Sequence, residues 1–195
     1  MINLEPSERA ALLIADFYAS VTDLPHAISR GALANMQQLA SVARAAGVLV
    51  CYSATVFRPG HPEIDERNPV FSVRKASSQP ASTDPLELIH ADLAPTPTDV
   101  VIGKHRVSAF HATPLDMILR AHRVNTLVVA GFATRGVVLS TVRQGSDMDY
   151  RMIVAEDCCM ERDAATHDFL VRHILPMQAD VASAQEIAAA FAAMR

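Results

Sequence analysis

Three places in this chain put a chemically useful group at the end of an apolar run. Asp16 follows Ala11-Leu12-Leu13-Ile14-Ala15. Lys104 follows Val100-Val101-Ile102-Gly103. The segment Ala130-Gly131-Phe132-Ala133-Thr134-Arg135-Gly136-Val137 joins a third apolar run to a helix-period stretch. There Gly131 permits unusual backbone dihedrals and Thr134 can cap the helix, whose first-turn N–H groups make an anion or oxyanion site. If the three runs are neighbouring parallel strands, a carboxylate, an ammonium and a set of backbone donors meet at one edge. Such a set suits acid–base chemistry on a carbonyl or vinyl compound. Each part also has an ordinary reading: a turn residue, a surface lysine, a plain strand-to-helix turn. Gly131 and Gly136 are five apart and match neither the dinucleotide nor the P-loop spacing.

Other side chains weigh less. Arg135, at the helix start, can grip a substrate carboxylate or sit in solvent. His105 stands beside Lys104, either lining a pocket or facing water. Phe17, Tyr52, Phe57 and Phe110 supply apolar walls or simply core. Cys51 lies within an apolar run and reads as core. Ser140 and Thr141 fall a turn or more into the helix and read as packing contacts. His61 alone is a weak ligand candidate, so no metal and no cofactor are expected.

The elements that must position these groups alternate along the chain. Strands are expected at Ala11–Ala15, Val48–Tyr52, Asp99–Gly103, Thr126–Ala130 and Arg151–Ala155, with a short edge strand at Asp180–Val181. Helix-period segments run from Pro25 to Ala46 (closed by Gly47), from Thr113-Pro114 onward, from Thr134 to Met148, Asp163 to Leu175 and Ala184 to Met194. Residues 57–98 hold seven of the eleven prolines and read as a long loop with one short helical piece near Leu86–Leu93. Loops of that length are often functional lids. Strands alternating with helices predict an α/β fold with a parallel sheet covered on both faces. Ligands of such sheets sit at the carboxyl ends of the strands.

The chain has 195 residues and a net charge of -4, which fits one domain spanning 1–195 and gives no footprint for nucleic acid. No apolar stretch reaches the roughly 18 residues of a membrane span, and Met1–Ala10 does not read as a signal peptide. Three cysteines, two of them adjacent at Cys158 and Cys159, suggest reduced thiols in a cytoplasmic protein.

Several of these segments, taken together and in order, resemble the isochorismatase-like (cysteine hydrolase) superfamily. Ala11 to Asp16 is similar to its first-strand signature, and Lys104-His105-Arg106-Val107-Ser108-Ala109-Phe110 to its lysine motif. Gly131-Phe132-Ala133-Thr134 through Ser140-Thr141-Val142-Arg143 resembles its third motif, and Tyr150-Arg151 with Glu156-Asp157-Cys158-Cys159 the strand that follows. The resemblance implies a Rossmann-like three-layer α/β/α fold with about six parallel strands, hydrolytic activity on a small molecule, and commonly a homo-oligomer. It carries the family's aspartate to Asp16, its lysine to Lys104, a non-proline cis peptide to Phe132–Ala133, and its oxyanion amides to Ala133 and Val137. The substrate would be bound around Ala133, Thr134, Arg135, Gly136, Phe110 and His105. The family's nucleophilic cysteine falls at Val137, which offers no nucleophile. Members that cleave the vinyl ether of isochorismate can carry glycine there, and Gly136 is one residue early for that match. The reading that follows is a hydrolase of a small, anionic enol ether or amide, with Asp16 as general acid or base and Lys104 as its partner. A retired ligand-binding protein on the same scaffold, and an amidase with its cysteine relocated to Cys158 or Cys159, stand beside it as alternatives.

Overall fold

Ala10–Ala15 forms β1, six residues buried without exception. An apolar run of this kind has no solvent face, so its place is the centre of a sheet covered on both sides. A computed structural model describes residues 2–5, 7–76 and 81–194 of the protein. After β1 come a short helix α1 (Ala19–Thr22), α2 (Pro25–Arg30), α3 (Ala32–Ala45) and strand β2 (Leu49–Thr55). The expected single helix from Pro25 to Ala46 is therefore two. Gly31 stands between them at φ 64°, a left-handed conformation that glycine adopts without Cβ strain. Its N–H caps the Ile28 carbonyl (3.0 Å), and the Asn35 side chain takes the Arg30 carbonyl (3.1 Å).

The long proline-rich segment holds α4 (Ser72–Ala76), unanticipated, and two single-turn 3-10 pieces at Pro85–Leu88 and Ala91–Leu93. Residues 77–80 of the predicted loop lie outside the described residues. Then follow β3 (Val100–Lys104), α5 (Leu115–Ala121), β4 (Thr126–Phe132), a wide turn at Thr134–Val138, α6 (Leu139–Asp147), β5 (Arg151–Met160), α7 (Ala164–Phe169), β6 (Asp180–Ala182) and α8 (Ala184–Ala193). Pro114 sits in the cap position of α5. The helix expected from Asp163 to Leu175 ends regular winding at Phe169 and continues as a wider turn over Leu170–Ile174.

The six strands are all parallel, in the order β3-β2-β1-β4-β5-β6. With the usual right-handed crossovers, α3 and α6 fall on opposite faces of the sheet; α3 packs on β2 and β5, α6 on β4 and β5, and α8 returns to pack on α3. The strand order reverses between β1 and β4, and in open α/β sheets that reversal opens a crevice at the carboxyl ends.

β5 runs five residues beyond its expected end at Ala155. Val129 pairs with Val154 but Gly131 with Cys159, so β5 carries extra residues around Glu156-Asp157 as a bulge. These acids are tolerated mid-strand because each has a partner outside the sheet. Glu156 is ion-paired to Arg30. Asp157 accepts from the Asn35 amide (3.3 Å) and from the Ala184 N–H at the start of α8 (2.7 Å). Cys158 and Cys159, expected just past β5, lie inside it.

Candidate active site

Asp16 directly follows β1 and takes φ 52°, a left-handed turn that Asp tolerates better than most residues. Its N–H bonds the Ser53 carbonyl of β2 (2.8 Å), which holds the carboxylate at the sheet's carboxyl edge. Lys104 ends β3, two strands away, and is 1% exposed. Its Nζ lies 2.7 Å from Asp16 Oδ2. It also donates to Thr55 Oγ1 (2.6 Å) and to the Arg106 carbonyl (3.1 Å).

Thr55 makes this reach possible. It ends β2 in register with Lys104, so the two side chains leave the same face. Having accepted from Lys104, its hydroxyl donates to Asp16 Oδ1 (3.2 Å). Tyr18 completes the set: its hydroxyl donates to Asp16 Oδ1 (2.5 Å) and accepts from the Thr55 N–H (2.7 Å). Burial, and then the negative charge of Asp16, raise the Tyr18 phenol well above its ordinary value. Tyr18 therefore stays a neutral donor.

The third wall is the turn after β4. The Phe132–Ala133 peptide bond is cis, and Gly136 (φ -96°, ψ -107°) breaks the helix expected from Thr134. Two buried groups hold the turn from behind. Thr134 Oγ1 donates to the Met160 carbonyl (3.2 Å) and lies 2.9 Å from His167 Nδ1. The fully buried carboxylate of Glu161 accepts from the N–H groups of Arg135 (3.1 Å) and Arg162 (2.8 Å). A buried carboxylate is tolerated when charge-assisted bonds of this kind satisfy it.

Between these walls lies a pocket of about 400 Å³, within the range of small-molecule sites. Asp16, Lys104, Val137, Ala133 and Gly136 line it. The other expected residues are elsewhere. Thr134 is buried behind the turn. Arg135 has a 57% exposed side chain turned toward Glu161. Phe110 stacks on Tyr150 in the core (ring centroids 5.6 Å apart), and His105 Nδ1 bonds the Val56 carbonyl (2.7 Å). Four lining residues come from the segment read as loop: Val70, Phe71, Val73 and Arg74.

Tyr18, Thr55 and Arg74 were not among the sequence candidates. Thr55 had a usable signal, since β2 runs three residues past its expected end at Tyr52 and the strand-end rule then points to it. Tyr18 and Arg74 had none: their roles come from contacts distant in sequence.

No cysteine lines the pocket among the described residues. Cys51, Cys158 and Cys159 are all buried. Burial pushes the Cys51 and Cys159 thiols up to about 12 and raises Cys158 as well. A thiol so placed is protonated and unreactive at neutral pH. These shifts carry a stability consequence. Unfolded thiols lose their protons at lower pH than folded ones, so the folded state binds more protons above about pH 9. The stabilisation is intact below pH 9 and is lost as pH rises toward 12. The urea midpoint should be flat from pH 7 to 8.5 and fall steeply beyond, each thiol contributing up to about 1.4 kcal/mol per pH unit. Cys159→Ala should remove part of that slope, and an alkali-insensitive midpoint would contradict the assignment.

Among the described residues there is no group of three or more His, Cys, Asp or Glu side chains placed to hold a metal. His61 is buried against Phe57 (ring centroids 5.6 Å). No described helix is long and apolar enough to cross a membrane.

Fold and site together define a parallel α/β domain with an Asp–Lys pair and a helix-start turn facing one pocket at the switch point. The family description "Isochorismatase domain" matches residues 10–186, and the chain belongs to the isochorismatase family. It is 35% identical over 97 residues to the isochorismatase-family protein YecD of Escherichia coli O157:H7. That match spans 50% of this chain and 52% of YecD. An isochorismatase-family protein from Burkholderia thailandensis superposes with a TM-score of 0.80 at 27% identity, over 97% of this chain and 98% of its own. A cysteine hydrolase from Pseudomonas syringae pv. phaseolicola 1448A superposes with a TM-score of 0.87 at 24% identity, over 100% of this chain and 97% of its own.

Proposed function

We propose that the protein is a hydrolase of a small, anionic amide or enol ether and that it works without a thiol. The observation that carries this reading is the ion pair of Asp16 and Lys104 (2.7 Å) in a pocket with no lining cysteine among the described residues. Val137 stands where the family resemblance expects the nucleophile, and it offers only methyl groups to the pocket.

The site's own donors leave Asp16 room to act. A carboxylate offers about four acceptor positions. Tyr18, Thr55 and Lys104 use three of them, which leaves one for a water proton. The Asp16 carboxylate takes that proton as the water oxygen attacks the amide carbon. The carbonyl π electrons move onto oxygen, where the N–H groups of Ala133 and Val137 stabilise the charge. On collapse the C–N bond breaks and the proton held by Asp16 goes to the leaving amine. With an enol ether the order is reversed: Asp16, loaded with a proton from solvent, gives it to the terminal vinyl carbon and recovers one from the water that adds to the resulting oxocarbenium carbon. The hemiketal then expels the alcohol and leaves a ketone.

The test is a turnover screen before and after iodoacetamide treatment of the native protein. It would follow pyruvate release from isochorismate and ammonia release from small amides and carbamoyl compounds. We expect undiminished turnover and no adduct on the intact protein by mass spectrometry. Loss of turnover tracking modification of one cysteine would overturn the thiol-free mechanism in favour of a relocated nucleophile. Absence of turnover on every substrate, with the protein folded, would leave a ligand-binding protein on a hydrolase scaffold.

A further inference from the structure

The polar groups on the floor of the pocket are spent largely on one another. The Lys104 ammonium has three N–H groups, and Asp16, Thr55 and the Arg106 carbonyl take all three. The Tyr18 hydroxyl donates to Asp16 and accepts from the Thr55 N–H. Most of the remaining lining is apolar: Val70, Phe71, Val73, Val107, Phe132 and Val137. Beyond the reacting atoms, these side chains offer a ligand apolar contact.

The wall at α4 has two parts. Phe71 packs edge-on against the buried Phe57 ring (centroids 5.5 Å apart), and the Arg74 guanidinium lies over the same ring (5.5 Å). Lys75 Nζ donates to the Ile64 carbonyl (3.2 Å). These three, spaced by three and four, share one side and tie α4 to the fold. Val70 and Val73 have a different place. They are 61% and 69% exposed, yet both line the pocket that holds Asp16 and Lys104. Apolar side chains left in water forgo the free energy that burial returns, and a ligand in this pocket supplies the missing cover.

We infer that the substrate carries an uncharged apolar arm, aryl or branched alkyl in size, and that Val70 and Val73 are the specificity-determining residues that receive it. The arm lies along the α4 wall while the scissile group reaches Asp16, and the cavity of about 400 Å³ holds both. That the arm belongs to a substrate rests on the hydrolase reading. The selection of an apolar group at this wall does not.

Neutral ligands that cannot be hydrolysed separate the questions: para-methyl-, para-ethyl- and para-propylbenzyl alcohol, titrated by calorimetry into the intact protein. In the wild type, affinity should rise about threefold to fourfold with each methylene, the gain of burying one. Val70→Thr/Val73→Thr keeps the shape of both side chains but puts hydroxyls on the wall, and should flatten the series. Val70→Ile/Val73→Ile should keep it. So should Met117→Thr, at a residue that is 68% exposed and not among those lining the pocket. Urea midpoints of the variants within error of wild type would show that the fold is intact. A flat series in the wild type, or a rise that survives Val70→Thr/Val73→Thr, would overturn the inference. So would a flat series in a protein that sediments as a dimer and becomes a monomer in Val70→Thr/Val73→Thr, which would give the wall to a second copy of the chain. A rising series without turnover on any substrate would leave the apolar selection standing and remove only the hydrolase reading. Turnover with a flat series would do the reverse.

Discussion

Asp16→Asn is expected to lower turnover by about a hundredfold or more, the scale for losing a general acid or base. It should also lower stability, because it takes the counter-charge from an ammonium that is 1% exposed. Removing one member of a buried ion pair typically costs about 3–5 kcal/mol, far more than the intact pair contributes. Activity lost in Asp16→Asn alone would therefore prove little. Lys104→Met should be milder, since the remaining carboxylate keeps Tyr18 and Thr55 as donors and methionine fills similar space. The double variant Asp16→Asn/Lys104→Met removes both charges and should recover most of the stability lost in Asp16→Asn, while its turnover stays at the floor. Urea midpoints and kcat measured on all four proteins give the cycle. A double variant no more stable than Asp16→Asn would mean that the pair is not the energetic unit described. An Asp16→Asn enzyme within about threefold of wild-type kcat, against the expected general acid–base loss, would end its assignment as proton carrier.

How far the sequence could be read depended on whether the signal was local. The β1 run announces itself: five apolar residues and then Asp16 admit one placement in a doubly covered sheet. Lys104 was weaker by itself, since β3 is an edge strand only partly buried and a lysine after it also reads as a surface residue; the β1 run with its aspartate and the parallel architecture were the legible parts. Breaks with a single-residue cause were harder. Gly31 sits between two good helical segments, and only its left-handed φ separates α2 from α3. The length of β5 was hidden because Glu156 and Asp157 look like a strand end, whereas their partners Arg30, Asn35 and Ala184 come from distant elements. Thr134 and Arg135 were drawn toward the substrate by position alone. The break at Gly136 resets the helical phase, and Met160, Glu161 and His167 pull those side chains behind the turn. Arg74 was the least legible, because prolines around it speak for loop and nothing nearby shows that α4 folds over the pocket.

Gly131→Ala should be among the most damaging single substitutions in the chain, and Gly31→Ala measures how much of that is conformational. Both glycines have positive φ, 64° at Gly31 and 140° at Gly131. At Gly31 an added Cβ would meet nothing within 4 Å, so the cost is that of a left-handed non-glycine residue, about 1–2 kcal/mol. At Gly131 the Cβ would stand 1.8 Å from the Ala15 carbonyl oxygen and 2.7 Å from its carbon. Both atoms belong to the backbone of a fully buried strand, so no side chain can swing aside. Either β1 and β4 separate where they pair Ala15 with Gly131, or the turn after β4 moves. The expected loss exceeds about 4 kcal/mol, the range reserved for a few mechanisms such as overpacking and backbone strain. The two substitutions should also differ in function. Ala15 immediately precedes Asp16, and Gly131 opens the turn bearing Ala133 and Val137, so any Gly131→Ala protein that folds should have lost the alignment of carboxylate and amides and show impaired turnover. Gly31→Ala, away from the pocket, should keep kcat while its urea midpoint falls. Equal midpoints for the two variants would show that the close approach of β4 to the Ala15 carbonyl is not what requires glycine there.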